Sequence, residues 1–545
     1  MKKSDLKKIL AVTAVVAAAA GTAYVVYRYQ KNKKENAVKA ERIANANAYI
    51  LGGGMSAYAS ALYLVRDCGV SAANVHVFTD RKYERGNAET GYICRRGKIV
   101  DEKNSRNFFD LVKDVRSLDI PDLTVCDEIL NIYGAKNGIR NITFIDSDCN
   151  VTDISKIRLD KEYRRLIVNL LKARKETLVS LSVADVMPEE FFAESFWKLI
   201  CASYGFDRNS GAYEFVNAIS HFDETLSGTM PAEFDRAEEI IEPLKAHIIS
   251  MGIDVCENAY VTDIDFTEEG AADAIHYTDN GVRKTVYLND GDICILPTDE
   301  LADCETFGSF NESAPRSFSE PYKLWERIAD KHPTFKNPSV LFDDTDENMS
   351  EEFTITLKNR MLPELIDRVT SGSLGSDGVI VLDNTPWKMT ICAVPDTHFK
   401  SIDEDTAVIW GTAARFDALG EKSGKAMTDC SGAEILYELV SALNLEEAWD
   451  DIRETVVNVI PCHRKYDKSY LRPVESKLEI IPTGISNFAV SGEFTDGDGS
   501  VFTEEFTVTT AKKAAYKLCE NRKKVYTAPP LSLGGIKKML KKKFK

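Results

Sequence analysis

Residues 48–57 read Ala48-Tyr49-Ile50-Leu51-Gly52-Gly53-Gly54-Met55-Ser56-Ala57. Four apolar residues in a row fit a short buried strand, and the three glycines stop it. Residues 57–65 then carry apolar side chains at helical spacing, residues 74–78 form a second apolar run, and Asp80 closes it. Strand, glycine turn, helix and strand make a β-α-β unit. Gly52 permits the tight turn, Gly54 lets the backbone approach a pyrophosphate at the helix N-terminus, and the small Ala57 lets helix and strand pack closely. An acid at the end of the second strand, here Asp80 or a neighbour, can accept from ribose hydroxyls. The expected fold class is α/β, with a Rossmann-like domain that holds a dinucleotide.

Further strands are expected at 253–266, 274–277, 292–296 and 488–494, the last followed by a helical run over 504–519. Strands that return so late imply a nucleotide domain assembled from discontinuous segments. Residues 160–250 read as helical and rich in aromatics, a separate lobe whose aromatic stripes are core first and substrate wall second. The expected organisation is an anchor and spacer at 1–44, then nucleotide-domain pieces at 45–150, 251–310 and 485–528. A helical substrate lobe at 151–250, a substrate domain at 311–484 and a basic tail at 529–545 complete it.

The 545 residues carry 68 Lys and Arg against 85 Asp and Glu, a net charge of −17. That excess of acid excludes generalised attraction to nucleic acid phosphate. Twelve cysteines are scattered singly, without C-x-x-C or histidine at metal-ligand spacing, so no zinc or iron–sulfur site is legible. Unpaired thiols suit a reducing compartment.

Both ends have membrane-seeking character. Residues 9–27 hold no charge and are rich in Ala and Val, long enough as a helix to nearly cross a bilayer. A cleaved signal peptide is the rival reading, since Lys2, Lys3, Lys7 and Lys8 precede the run and Ala18-Ala19-Ala20 offers small residues for cleavage. Arg28, Lys31, Lys33, Lys34, Lys39 and Arg42 follow, which favours a single-pass anchor in the cell membrane with the body in the cytoplasm. At the other end Ile536, Met539, Leu540 and Phe544 fall near helical spacing among six lysines, a pattern that lies on an anionic leaflet or solubilises a frayed tail.

Several stretches beyond the glycine turn carry a resemblance. They include Phe191-Phe192 with Phe196-Trp197, the run from Leu324 through His332-Pro333 to Phe335, Asp429-Cys430-Ser431-Gly432, Asn487 to Phe494, and Val501 to Phe506. In this order they resemble the oleate hydratases, also called myosin-cross-reactive antigens, as a divergent member. The resemblance implies FAD, an unsaturated fatty acid as substrate, water added across its cis double bond, membrane docking through a basic C-terminus, and a homodimer. It places flavin contacts at Gly52, Gly53, Gly54, Met55, Ser56, Ala57, Asp80, Arg96, Gly97, Val261, Gly492, Glu493, Phe502 and Thr503. The flavin would sit beside an apolar channel fed from the lipid phase.

Hydration of an isolated alkene needs an acid to protonate one carbon and a carboxylate to orient and deprotonate the water. The resemblance puts the family's glutamate, in its Arg-Gly-Gly-Arg-Glu run, at Ile99 of Arg95-Arg96-Gly97-Lys98-Ile99. Its tyrosine falls at about Ala218. The substitutes within reach along the chain are Asp101, Glu102 and Tyr213. A family run with Thr, Asn and His becomes Cys392, Val394 and His398, the histidine retained. Two functions therefore stand side by side: a fatty acid hydratase that uses Glu102, Asp101, Tyr213 and His398, and a descendant that holds a lipid or FAD without hydrating it. Flavin redox on a lipid is a third and weaker one.

Overall fold

The computed structural model of the chain describes residues 37–133, 142–153, 157–221, 228–231, 233–299, 304–318, 320, 322–342, 348–375, 378–400, 402–473 and 477–543. The expected anchor at 9–27 lies outside the described residues. Among those described, no helix is long and apolar enough to cross a membrane.

The opening unit forms as read. Strand β1 (Ala48–Ile50) leads through the glycines into helix α1 (Gly54–Tyr63), and β2 (Val75–Thr79) follows. β1 lies between β2 and the strand Ile293–Pro297, parallel to both, with Ile50 opposite Val77 on one side and Ile295 on the other. Asp254–Glu257 extends the sheet beyond β2, and Phe488–Ser491 pairs beyond Ile293–Pro297. All five strands are parallel and come from four separated stretches of chain, so this sheet is assembled from discontinuous segments within a mixed α/β fold.

A parallel sheet is buried on both faces, and here the two sides of β1 show why. Ala48 and Ile50 face helices, packing with Met55, Ala57 and Ala61 of α1 and with Val508, Ala511 and Ala515 of the helix Glu504–Leu518. Tyr49 and Leu51 face the other way, against Val261, Ile264 and Ile275 of a three-stranded antiparallel sheet. Ile50, Val75 and Val77 are fully buried, each contributing roughly 1.5–3 kcal/mol. The alanines let α1 and the late helix approach closely.

A second sheet has eight strands, in the order Glu305–Phe307, Val456–Arg464, Ser350–Leu357, Ala407–Ala413, Met389–Ala393, Val379–Leu382, Ile142–Ile145, Val151–Asp153. It corrects three expected boundaries. The strands at 142–153 belong to this sheet and not to the first nucleotide-binding piece, and Glu305–Phe307 also pairs here. Residues 237–250, expected in the helical lobe, instead place Ile240, Ile241, Leu244 and Ile248 in the core behind β1. Periodicity distinguishes strand from helix but does not say which sheet or core an element joins.

The helical lobe is held by an aromatic cluster, with Phe191 5.6 Å from Trp197 and Trp197 5.9 Å from Phe215 between ring centres. The tail forms the expected helix, Leu533–Lys543, while its apolar stripe is turned inward. Ile536 and Leu540 are buried in the lobe's core, and Lys537, Lys538 and Lys541 stay exposed. These two apolar side chains are therefore covered by the protein itself. At the other end, residues 37–45 are helical, and Lys39 and Arg42 pair with Glu520 at the end of the late helix.

Candidate functional site

The glycine turn works through its backbone. Gly53 is the N-cap of α1, and Gly54 has φ of 84°, in the left-handed region that glycine tolerates at little cost. The first amides of a helix lack internal partners and favour an anion. In this chain a carboxylate of the protein takes that place: Ser56 donates its backbone N–H to Asp299 Oδ2 at 3.0 Å and its hydroxyl to Asp299 Oδ1. Ser491 Oγ is 3.2 Å from Ser56 Oγ. Residues 53–57 are all buried, as is Asp299.

Asp299 can come this close because residue 492 lacks a side chain. A Cβ on Gly492 would sit 2.7 Å from Asp299 N and from Thr298 Oγ1, and its φ is 100°. Gly492→Ala is expected to destabilise the fold by roughly 2–4 kcal/mol through clash and backbone strain together. Thermal unfolding checks it, and an unchanged Tm would show that the approach is not tight.

Asp80 is exposed just past β2. Val261 lies in the core under Tyr49 and Phe78, a packing position. Gly97 donates its N–H to Thr229 O at 2.9 Å. Arg96 donates to Thr229 Oγ1 at 3.0 Å and Ala202 O at 3.3 Å, and its guanidinium stacks 5.3 Å over Trp410. Lys98 pairs with buried Glu493 and donates to Val501 O at 2.8 Å. Phe502 sits edge-on to Tyr204 and Phe206, and Thr503 caps the helix Glu504–Leu518 by accepting from Phe506 N. The structure thus gathers Arg96, Lys98, Glu493, Phe502 and Thr503 along one seam.

The catalytic candidates part company. Ile99 occupies the seam itself, with its N–H donated to Phe502 O at 2.8 Å and its carbonyl accepting from Glu504 N at 3.1 Å. Asp101 and Glu102 lie beyond it, in the turn that starts the helix Arg106–Val112. Asp101 accepts from Lys103 N and Asn104 Nδ2 and donates its own N–H to Ser105 Oγ, while Glu102 is exposed. Asp101 closes a turn. Tyr213 lies beneath Lys175, 5.0 Å from ring centre to Nζ, and burial pushes its phenol above the ordinary value. A phenol that holds its proton more tightly is a weaker acid, the wrong direction for protonating an alkene. Ala218 is buried on the same helix.

His398 is the candidate that meets other chemistry. It is buried, with Nε2 3.4 Å from Cys94 Sγ and 3.9 Å from Asp235 Oδ2, and its ring stands edge-on to Phe399. Burial pushes the Cys94 thiol well up. Cys392, on the adjoining strand Met389–Ala393, is buried in the same cluster.

A cavity of about 360 Å³ opens beside Tyr213, bounded by Lys175, Glu214, Arg472, Lys477 and Asp496. Its charges are matched across it, Lys175 with Asp496 and Lys477 with Glu214. Its lining mixes these charged residues with apolar ones, Val179, Val501 and Phe506 among them, and does not include the glycine turn.

Sequence reading missed Asp299 and a buried charged group behind the seam. Glu352 is fully buried and receives Trp410 Nε1–H at 3.0 Å, with Arg464 Nη1 at 3.3 Å and Arg96 Nε at 3.8 Å. On the opposite face of the sheet, Glu351 pairs with His463. The available signal was Glu351-Glu352 ahead of the uncharged run Phe353–Leu357, and His463-Arg464 ending another strand.

The MCRA family profile matches residues 45–516. The chain is similar to an oleate hydratase of Streptococcus pyogenes serotype M49 (strain NZ131), at 25% identity over 508 residues, 88% of this chain and 86% of that protein. It is also similar to a linoleate hydratase of Lactiplantibacillus plantarum, at 22% identity over 539 residues, 87% of this chain and 94% of that protein. Among solved structures it is similar to an oxidoreductase from Methanosarcina mazei, with a TM-score of 0.44 at 13% identity over 86% of this chain and 100% of that one.

Proposed function

Because the chain belongs to the MCRA family, we propose that it binds FAD and acts on an unsaturated fatty acid by adding water to its cis double bond. The observation that carries this reading is the glycine turn, where the N-terminus of α1 takes an anion at Ser56. The turn suits a pyrophosphate in kind, since its donors are backbone amides and its present occupant is a carboxylate. Residues 54–57 would hold the pyrophosphate, Asp80 the ribose, and Gly492, Glu493, Phe502 and Thr503 the rest. FAD would supply shape and electrostatics to a redox-neutral reaction.

The chain's own residues provide the proton handling. His398, fixed between Cys94, Phe399 and Asp235, is the group that gives and recovers a proton. Tyr204, Phe206 and Phe502 wall the seam with aromatic edges and exclude bulk water. With Ile99 where the resemblance implies a glutamate, water is oriented by another group, for which Glu102 would have to leave its exposed turn. That placement of Ile99 is the observation that favours the second reading, a family descendant that holds FAD or a lipid without hydrating it.

The test is product formation from oleic and linoleic acids by purified protein with FAD, read as hydroxy acid by mass spectrometry. His398→Ala is expected to lower kcat/KM by roughly 10²–10⁴, the usual worth of a positioned proton donor. Product from wild type with no loss in the variant would remove His398 from the chemistry. No product from wild type, together with product from Ile99→Glu, would establish the second reading.

A further inference from the structure

We propose that Asp299 is a built-in competitor for the cofactor's pyrophosphate, so that this chain takes up FAD only when that carboxylate withdraws from the N-terminus of α1. The inference rests on the reading of the glycine turn as an FAD seat. It concerns how this chain controls the seat.

Four observations converge. First, Ser56 is the third residue of α1, and its N–H is one of the few donors that an anion at this helix end can reach. Asp299 takes that N–H with one oxygen and the Ser56 hydroxyl with the other. Second, Asp299 comes two residues after the strand beside β1, and the residue before it is held in place. Thr298 donates its N–H to Ser491 O at 2.8 Å and its hydroxyl to the same carbonyl at 2.7 Å, while Phe494 N–H donates to Thr298 Oγ1. Third, Gly492, with no side chain, makes room for that backbone on the far side. Fourth, Asp299 is only 6% exposed. A buried charge of this kind persists where donors are aimed at it.

A pyrophosphate and a carboxylate cannot share the same amide. Both are negative, and in a site closed to water their repulsion is weakly screened. Either the side chain of Asp299 rotates away or the dinucleotide is refused. With Thr298 held against Ser491, rotation of the Asp299 side chain is the movement that clears the amide, so the gate is that side chain. Removing the carboxylate should release the amide, and neutralising it should lift the repulsion, in neither case rebuilding the turn.

The experiment is titration of flavin-free full-length protein with FAD and, in parallel, with riboflavin, which has the ring system but no pyrophosphate. Binding is read by quenching of flavin fluorescence and by calorimetry for wild type, Asp299→Asn and Asp299→Ala. Circular dichroism checks that each variant is folded, and the asparagine keeps an acceptor for Ser56 should the alanine unfold. The expected result is FAD affinity at least tenfold higher in the variants, with riboflavin affinity unchanged. If wild type binds FAD and the variants bind it equally or less well, the competitor role is overturned while the FAD reading stands. An equal gain for riboflavin also overturns it, since the pyrophosphate would not be the group affected. If neither wild type nor any folded variant binds FAD, the FAD reading and this inference fall together.

Discussion

Arg464→Met is expected to cost about 3–5 kcal/mol of folding stability, the range for removing one partner of a buried charge pair. Arg464 is a hub within the large sheet. Its Nη1 donates to Asp467 Oδ1 at 2.8 Å and lies 3.3 Å from Glu352 Oε1, and its Nε is 3.2 Å from Glu305 Oε1. The three acids would not suffer equally. Glu305 keeps a two-pronged contact with Arg95 Nε at 2.9 and 2.8 Å, and Asp467 keeps the Ser350 hydroxyl at 2.8 Å. Glu352 is fully buried and would retain Trp410 Nε1–H and the more distant Arg96. Most of the loss should therefore trace to Glu352, which a double-mutant cycle in chemical denaturation resolves. Adding Glu352→Gln to Arg464→Met should restore part of the stability. If the two changes are simply additive, the pair is not coupled and the network is a set of separate contacts.

That network shows what the sequence withholds. β1, α1 and β2 were legible because the signals are local: an apolar run, three glycines, a helical period, an acid. The partner of Ser56 was not, since Asp299 lies 243 residues away and an isolated Asp after a strand looks like turn chemistry. Glu352 and Arg464 are separated by 112 residues, and only their interruption of apolar strands hints at pairing. Asp101 and Glu102 were singled out by proximity to Ile99 along the chain, whereas Asp101 and Ser105 close a turn that places both acids past the seam. The tail illustrates a different limit. An amphipathic period shows that a helix has an apolar face, and the same period serves a bilayer or, as here, the protein's own lobe.

Glu351→Gln is expected to flatten the pH dependence of stability, and the sign follows from burial. Burial pushes the Glu351 carboxyl from 4.5 up to about 7, against the opposing pull of His463, with Glu352 on the next residue pushing the same way and Arg316 opposing. The folded state thus holds a proton that the unfolded chain releases near 4.5. The contribution is fully present below that value, falls as pH rises, and is gone above about 7, a swing of roughly 3 kcal/mol at most. Glu505 is also pushed up to about 7 by burial, although it accepts from Asn107 N and Phe108 N at the start of the helix Arg106–Val112. Wild type should therefore lose stability between about pH 5 and about pH 8. Glutamine cannot ionise yet keeps an oxygen to accept from His463, so the variant should lose roughly 2 kcal/mol less over that span. Urea denaturation at several pH values reads the difference directly, and titrating groups that do not interact with Glu351 cancel between the two proteins. Parallel curves for wild type and variant would mean that Glu351 ionises in the folded state as easily as in the unfolded one.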